Sequence, residues 1–194
     1  AFMDADCIAD PNWLSDLGKH MNGNRGVGAL AGCIKANPSK RVVARFMGLF
    51  TLPENRYESD HSEFTLVEGG FPSANLTVRR DVFDLIGGFD EMIPIYGEDH
   101  DLCARIYKAG FIIRSLRNAI VFHNHRTDVK ALLRQSFGFG KSHALNLSRF
   151  VPGVLILQAP KIALRRIRKG SHVWIDVNQA DKKMIAAILA GVIW

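Results

Sequence analysis

The chain has 194 residues, with 47% hydrophobic and 23% charged content, enough to bury one sizeable core and unlike a disordered segment. Its three cysteines, Cys7, Cys33 and Cys103, form no CxxC pair, which argues against a disulfide framework or a zinc ribbon and fits a reducing compartment. The net charge of +6 conceals a split: residues 1–104 carry 9 Lys/Arg against 16 Asp/Glu, net −7, and residues 105–194 carry 16 against 3, net +13. An acidic, cation-binding half and a basic half facing something anionic suit that pattern better than a uniformly basic nucleic-acid binder.

Ala1–Met3 reads as the end of a buried strand that delivers Asp4 and Asp6 to its C-terminal edge. Asp10 is a good N-cap and Pro11 a good first helical residue, so a helix is expected over about 11–22, packing Trp13, Leu14, Leu17 and Met21 and ended by Gly23 and Asn24. Residues 27–36 (VGALAGCIKA) read as a strand weakened by glycine, and 42–52 as an apolar helix stopped by Pro53. Residues 55–63 are loop-like. Glu68-Gly69-Gly70-Phe71-Pro72 is a turn whose glycines allow a backbone to approach a ligand. A short strand at 74–78 and a short helix at 80–86, closed by Gly87-Gly88, come next.

Residues 87–105, GGFDEMIPIYGEDHDLCAR, concentrate five carboxylates: Asp90, Glu91, Glu98, Asp99 and Asp101. Three of them crowd into GEDHD at the start of a helix expected to run to Lys108. Helix capping would account for acids there, because free N–H groups and the dipole favour negative charge. A second acidic pair, Asp4 and Asp6, and the downstream histidines His123 and His125 point further, to a metal site with a neighbouring general base. Residues 111–116 and 119–122 read as two strands, the second delivering His123-Asn124-His125. Another helix is expected from Thr127-Asp128 to about FGFGK (137–141).

Residues 154–169 mix Leu155, Ile156, Ile162, Leu164 and Ile167 with Lys161, Arg165, Arg166, Arg168 and Lys169. That mixture suits an amphipathic helix on an anionic membrane surface, or equally a core helix with a solvated basic face. The apolar closing run of 11 residues, MIAAILAGVIW, is too short to span a bilayer, which takes roughly 20 residues. That run and the opening directly before Asp4 suggest a piece of a longer protein. Two units are expected: 1–150 as a catalytic domain and 151–194 as a helical, basic and apolar tail. Helices mixed with strands, and acids at strand ends, indicate an α/β layered fold with its site at the C-terminal strand edges. Nucleic-acid binding by 126–169 is not expected, since Phe137, Phe139 and Phe150 do not interleave with the bases as a stacking platform would.

MDADC, GGFPSANLTVRRDVFDLIGGFDE, GEDHDLCARIYKAGF and VFHNHR, in that order, resemble family 2 glycosyltransferases of the GT-A fold, over about Phe2 to Gly140. The resemblance implies a Rossmann-related mixed sheet, here without the N-terminal β-α-β region that holds the nucleobase in the family. It implies an inverting, metal-dependent hexosyl transfer from a nucleotide-diphospho-sugar to a hydroxyl of a cell-envelope or lipid-linked glycan, at the cytoplasmic face of the membrane. Asp4 and Asp6 would hold Mg²⁺ or Mn²⁺ and the donor, with His123 as a further metal ligand. His125 is the alternative ligand, expected on the opposite face of the strand. Asp99 would be the catalytic base; Glu98, Asn75 and Arg79 would meet the acceptor, and Gly69 and Gly70 the donor. Arg79 or Arg80 could meet phosphate, and Asp101 would pair with Arg105 one turn on. The QxxRW signature of processive members is missing at Gln135–Phe139, which implies addition of one or a few sugars. A degenerate GT-A domain that binds a glycan or partner without catalysis is the alternative.

Overall fold

The computed structural model describes residues 1–21, 25–50, 70–93 and 96–150. The loop expected at 55–63, Gly69, and the tail at 151–194 lie outside the described residues. Five strands, β1 (Phe2–Met3), β2 (Cys7–Ala9), β3 (Val27–Ala36), β4 (Asn75–Val78) and β5 (Ile112–His123), form one mixed sheet in the order β1-β4-β3-β5-β2. The long central pair, β3 and β5, is parallel, and the other pairings are antiparallel. Among the described residues there are five helices: α1 (Trp13–Met21), α2 (Val42–Phe50), α3 (Arg80–Leu85), α4 (Glu98–Lys108) and α5 (Val129–Phe150).

Alternation along β3 builds the layers, because successive side chains of a strand face opposite ways. Ala29, Ala31 and Cys33 pack with Leu102, Cys103 and Ile106 of α4, Leu76 of β4 and Val82 of α3. Leu30 instead joins Leu17, Leu116 and Ala119, with Trp13 and Met21 of α1 beside them. The sheet is therefore covered on both faces, the α/β layering expected from the sequence. Leu102 and Ile106 are fully buried; each such side chain contributes roughly 1.5–3 kcal/mol, which fixes α4 on the sheet.

Four local expectations need correction. β1 is an edge strand, with Phe2 half-buried and Met3 43% exposed, rather than a buried one. Leu14 of α1 is 68% exposed, so that helix packs through Trp13, Leu17 and Met21 alone. The two strands expected after α4 are one 12-residue strand, β5, whose register against β3 shifts between Gly32 and Cys33. Arg117 and Asn118 sit in that irregularity; their polarity reads as a break in the sequence, yet a bulge absorbs them without ending the strand. Finally, α5 runs 22 residues, straight through the FGFGK expected to end it. Asp128 caps its start, Oδ2 accepting from Ala131 N at 2.8 Å.

Candidate active site

β1 runs parallel to β3, while β2 returns antiparallel to β5, so the Asp4-Ala5-Asp6 link turns over at the C-terminal end of the central strands. Cys7 N donates to Asp4 O at 3.0 Å and closes the turn; Asn124 N donates to Asp6 O at 2.9 Å and ties it to the end of β5. Cys7 and His123 are direct cross-strand partners. The result places His123 Nε2 3.4 Å from Asp6 Oδ1 and 3.9 Å from Asp4 Oδ2. Burial, then the neighbouring Asp6 charge, raises the Asp4 carboxyl above its ordinary value, with His123 opposing.

His125 stacks on His123, ring centroids 4.5 Å apart and tilted 31°. The expectation of opposite faces is thus corrected: residues two apart in extended chain share a side. Burial, then His123, depresses His125 to about 4, so it is neutral at pH 7, and neither of its ring nitrogens has a hydrogen-bond partner.

A cleft of about 400 Å³ adjoins Asp4, walled by Phe2 and Phe89, with Ser73 and Glu98 completing it. Phe2 is held there by ring contacts with Phe83 at 5.6 Å and Phe89 at 5.0 Å. Glu98 and Asp99 occupy the first turn of α4, behind Gly97, whose φ of 91° turns the chain into the helix. Burial, then Asp99, and lastly Asp4 raise the Glu98 carboxyl, and its buried Oε2 accepts no hydrogen bond. Asp99 is oriented by His100 N at 2.7 Å on Oδ1 and by Ser73 N at 3.4 Å on Oδ2. One end of the sheet therefore carries Asp4, Asp6 and His123 together, with Glu98 and Asp99 set beside the cleft.

Three residues expected at the site lie elsewhere or are already engaged. Asn75 is 1% exposed: its Oδ1 accepts from Trp13 Nε1 at 2.8 Å, and its Nδ2 donates to Cys33 O at 2.9 Å and Ala119 O at 2.8 Å. It staples β4 to the β3–β5 bulge and to α1, and offers nothing to an acceptor. Arg79 follows β4 at the opposite end of β3, where its N donates to Gly28 O and its guanidinium pairs with Asp81 and the Arg25 carbonyl. Gly70 is buried against α4; a Cβ there would meet His100 Cα at 2.9 Å, so its smallness serves packing. Asp101, fully buried, pairs with Arg105 at 2.6 Å, as its spacing predicts.

Sequence reading passed over Cys7. Its Sγ, an Asp6 oxygen and a His123 nitrogen all lie within 4.8 Å of one another. Burial, then Asp4 and Asp6, pushes the thiol up to about 12. Counting cysteines for disulfides and zinc ribbons hides this placement, and the β2–β5 register exposes it.

The donor set fits a divalent cation. His123 Nε2 lies 3.4 Å from Asp6 and 3.9 Å from Asp4, looser than the roughly 3 Å between adjacent ligands of an octahedral ion, so the donors would draw in around a bound cation. Two carboxylates favour a hard ion, and imidazole tolerates Mn²⁺ as well.

An α/β sheet with acids and a histidine gathered at its C-terminal edge, beside a cleft with two further acids, is the arrangement of a GT-A-like domain. The model of glycosyl transferase family group 2 matches residues 1–174, and the chain belongs to that family. It is 30% identical over 155 residues to the pre-mycofactocin glycosyltransferase of Mycobacterium tuberculosis, covering 74% of this chain and 30% of that protein. It is 29% identical over 129 residues to the O-antigen biosynthesis protein RfbC of Myxococcus xanthus, covering 60% of this chain and 10% of that protein. The chain thus spans less than a third of these relatives. Among solved structures it resembles a mannosyltransferase of Pyrobaculum calidifontis in complex with GDP-Man and Mn²⁺, at 14% identity and a TM-score of 0.53, over the whole of this chain and 55% of that one. That likeness establishes the GT-A fold.

Proposed function

We propose that this domain transfers a sugar from a nucleotide-diphospho-sugar to a hydroxyl of a cell-envelope or lipid-linked glycan, with inversion at the anomeric carbon. The observation that carries the reading is the meeting of Asp4, Asp6 and His123 at one sheet end, with Glu98 and Asp99 beside the adjoining cleft. Among the relatives' names, O-antigen biosynthesis supports a cell-envelope glycan as acceptor, while pre-mycofactocin glycosyltransferase names an acceptor of another kind.

Asp6 and His123, gathered with Cys7, would hold Mn²⁺ or Mg²⁺, with Asp4, 3.9 Å from His123, as the further carboxylate. Such an ion, when bound, neutralises charge developing on a departing diphosphate. Asp99 takes the proton of the acceptor hydroxyl as that oxygen bonds to the anomeric carbon and the bond to the diphosphate breaks. The backbone N–H groups of His100 and Ser73 orient its carboxylate for that transfer. Glu98, unsatisfied at Oε2, holds the acceptor, and Phe2 and Phe89 give the sugar ring an apolar wall. We place the acceptor at the cytoplasmic face of the membrane from the basic, apolar sequence at 154–169; among the described residues no helix is long and apolar enough to cross a bilayer.

The test uses the full-length protein. Asp99→Asn should lower transfer by about 10²–10⁴-fold, the range for losing a general base. Titration with nucleoside diphosphate and Mn²⁺ should show unchanged donor affinity. Near-normal turnover of Asp99→Asn would remove the base assignment.

A further inference from the structure

α5 presents one stripe of residues to the acid-bearing turn of α4. At Gly138 a Cβ would lie 2.3 Å from the Tyr96 ring, so this glycine makes room for the residue just before the turn. Tyr96 is then locked edge-on to Phe139, centroids 5.2 Å apart. One helical turn on, Ser142 seats Gly97 so closely that a Cβ on Gly97 would come within 2.6 Å of it. Asn146 Nδ2 donates to Gly97 O at 2.9 Å, the same oxygen that accepts the first α4 bond from Asp101 N at 3.0 Å. Arg149 Nη1 bridges Asp101 Oδ1 at 3.0 Å and Asp90 Oδ2 at 2.8 Å. Arg105 holds the other oxygen of Asp101 and donates to the carbonyls of Ile86 at 2.8 Å and Gly88 at 2.6 Å.

The first turn of α4 is thus fastened at two points, Gly97 and Asp101, and Glu98 and Asp99 lie between them. Neither acid touches α5 through any of these contacts, yet a shift of either fixed point moves both carboxylates. We propose that Asn146 and Arg149 are positioning residues: the inner stripe of α5 sets the place of the Glu98–Asp99 pair beside the cleft. This rests on the reading of that pair as the acceptor-side machinery. A misplacement of about 1 Å costs on the order of 10²-fold in such a reaction. The metal-side donors lie off α4 and α5, Asp4 and Asp6 in the turn after β1 and His123 at the end of β5, so the expected effect falls on the two acids rather than on donor binding.

The experiment measures kcat, donor KM and nucleoside-diphosphate affinity in the full-length protein for Arg149→Met, Arg149→Lys, Asn146→Leu and Gly138→Ala, with thermal melts of each. The expected result is a kcat lowered about 10–100-fold in Arg149→Met and Asn146→Leu at unchanged donor affinity. Arg149→Lys should recover part of the loss, because the charge returns without the fork. Gly138→Ala displaces Tyr96 from the other side of the turn and should lower kcat the same way, so the inference survives a failure of Arg149→Met to fold. Folded variants with kcat within about two-fold of wild type would overturn it, as would equal losses in donor affinity, which a general loosening produces. Asp99→Asn measured alongside separates the two readings. Full activity there with a loss in Arg149→Met removes the base but keeps the positioning role, acting through Glu98; loss there with normal Arg149 variants overturns the positioning role alone.

Discussion

Asn75 shows how the same residue reads differently alone and in its surroundings. In the sequence it opens the NLTV strand after a glycine turn, and the family resemblance puts an acceptor contact there. In the fold its amide is saturated by Trp13, Cys33 and Ala119, which lie 62, 42 and 44 residues away in sequence. No local pattern carries information about partners that distant. Asn75→Ala removes three hydrogen bonds at once, from the Trp13 indole and to the carbonyls of Cys33 and Ala119, each worth about 0.5–1.5 kcal/mol. A loss of about 3 kcal/mol in denaturant unfolding is expected, with donor affinity in the folded variant unchanged. A raised acceptor KM without loss of stability would restore Asn75 to the site.

Among the elements, what the sequence made legible was whatever depends on periodicity and nearby punctuation. α1, α3, α4, β3 and β4 lie close to where their apolar spacing and glycine stops put them. The DAD pair, the GED turn and the HxH pair were equally visible, because each is a short motif of chemically distinctive residues. The failures share a cause: a tertiary contact overrides a local signal. Polar Arg117-Asn118 is carried in a bulge, and Gly138, in the stretch expected to end α5, lies inside the helix as the position that leaves room for Tyr96. Arg79 was placed by motif order, whereas the antiparallel run of β4 carries it away from the acids. Gly32 gives this account a test. A Cβ there would meet Asn75 Nδ2 at 2.3 Å and Ala119 O at 2.4 Å, so β3 can pass the staple only as glycine. Gly32→Ala should cost about 1–3 kcal/mol by overpacking. Combined with Asn75→Ala, which removes one of the two clashing groups, the total should fall short of the sum by about 1 kcal/mol in a double-mutant cycle. Strict additivity would mean that the two residues do not share the bulge.

At the scale of the whole molecule, the proposed site is a local debit in stability that a cation repays. Asp4 and Glu98 both hold their protons more tightly in the fold than ordinary carboxyls, through burial and neighbouring acids. Between the ordinary carboxylate value and the raised one, the folded state binds more protons than the unfolded state. These two groups therefore make stability fall as pH rises through that window. Asp81 and Asp90 act in the opposite sense: Arg79 and Arg149 hold them low, so their contribution is present above the ordinary value and lost as pH falls. Whole-protein melts mix both signs, and the site is isolated by comparing wild type with Asp4→Asn. Without added metal, Asp4→Asn should be at least as stable as wild type at pH 7, with the difference closing as pH drops into the carboxylate range. With Mn²⁺ at about 100 times its dissociation constant, wild type should gain about 2.7 kcal/mol while Asp4→Asn gains far less. The Mn²⁺ gain in wild type should shrink toward acid pH, because protons and the cation compete for the same oxygens. Equal Mn²⁺ stabilisation of both proteins would place the cation away from Asp4 and break the link between the acidic turn and the proposed transfer.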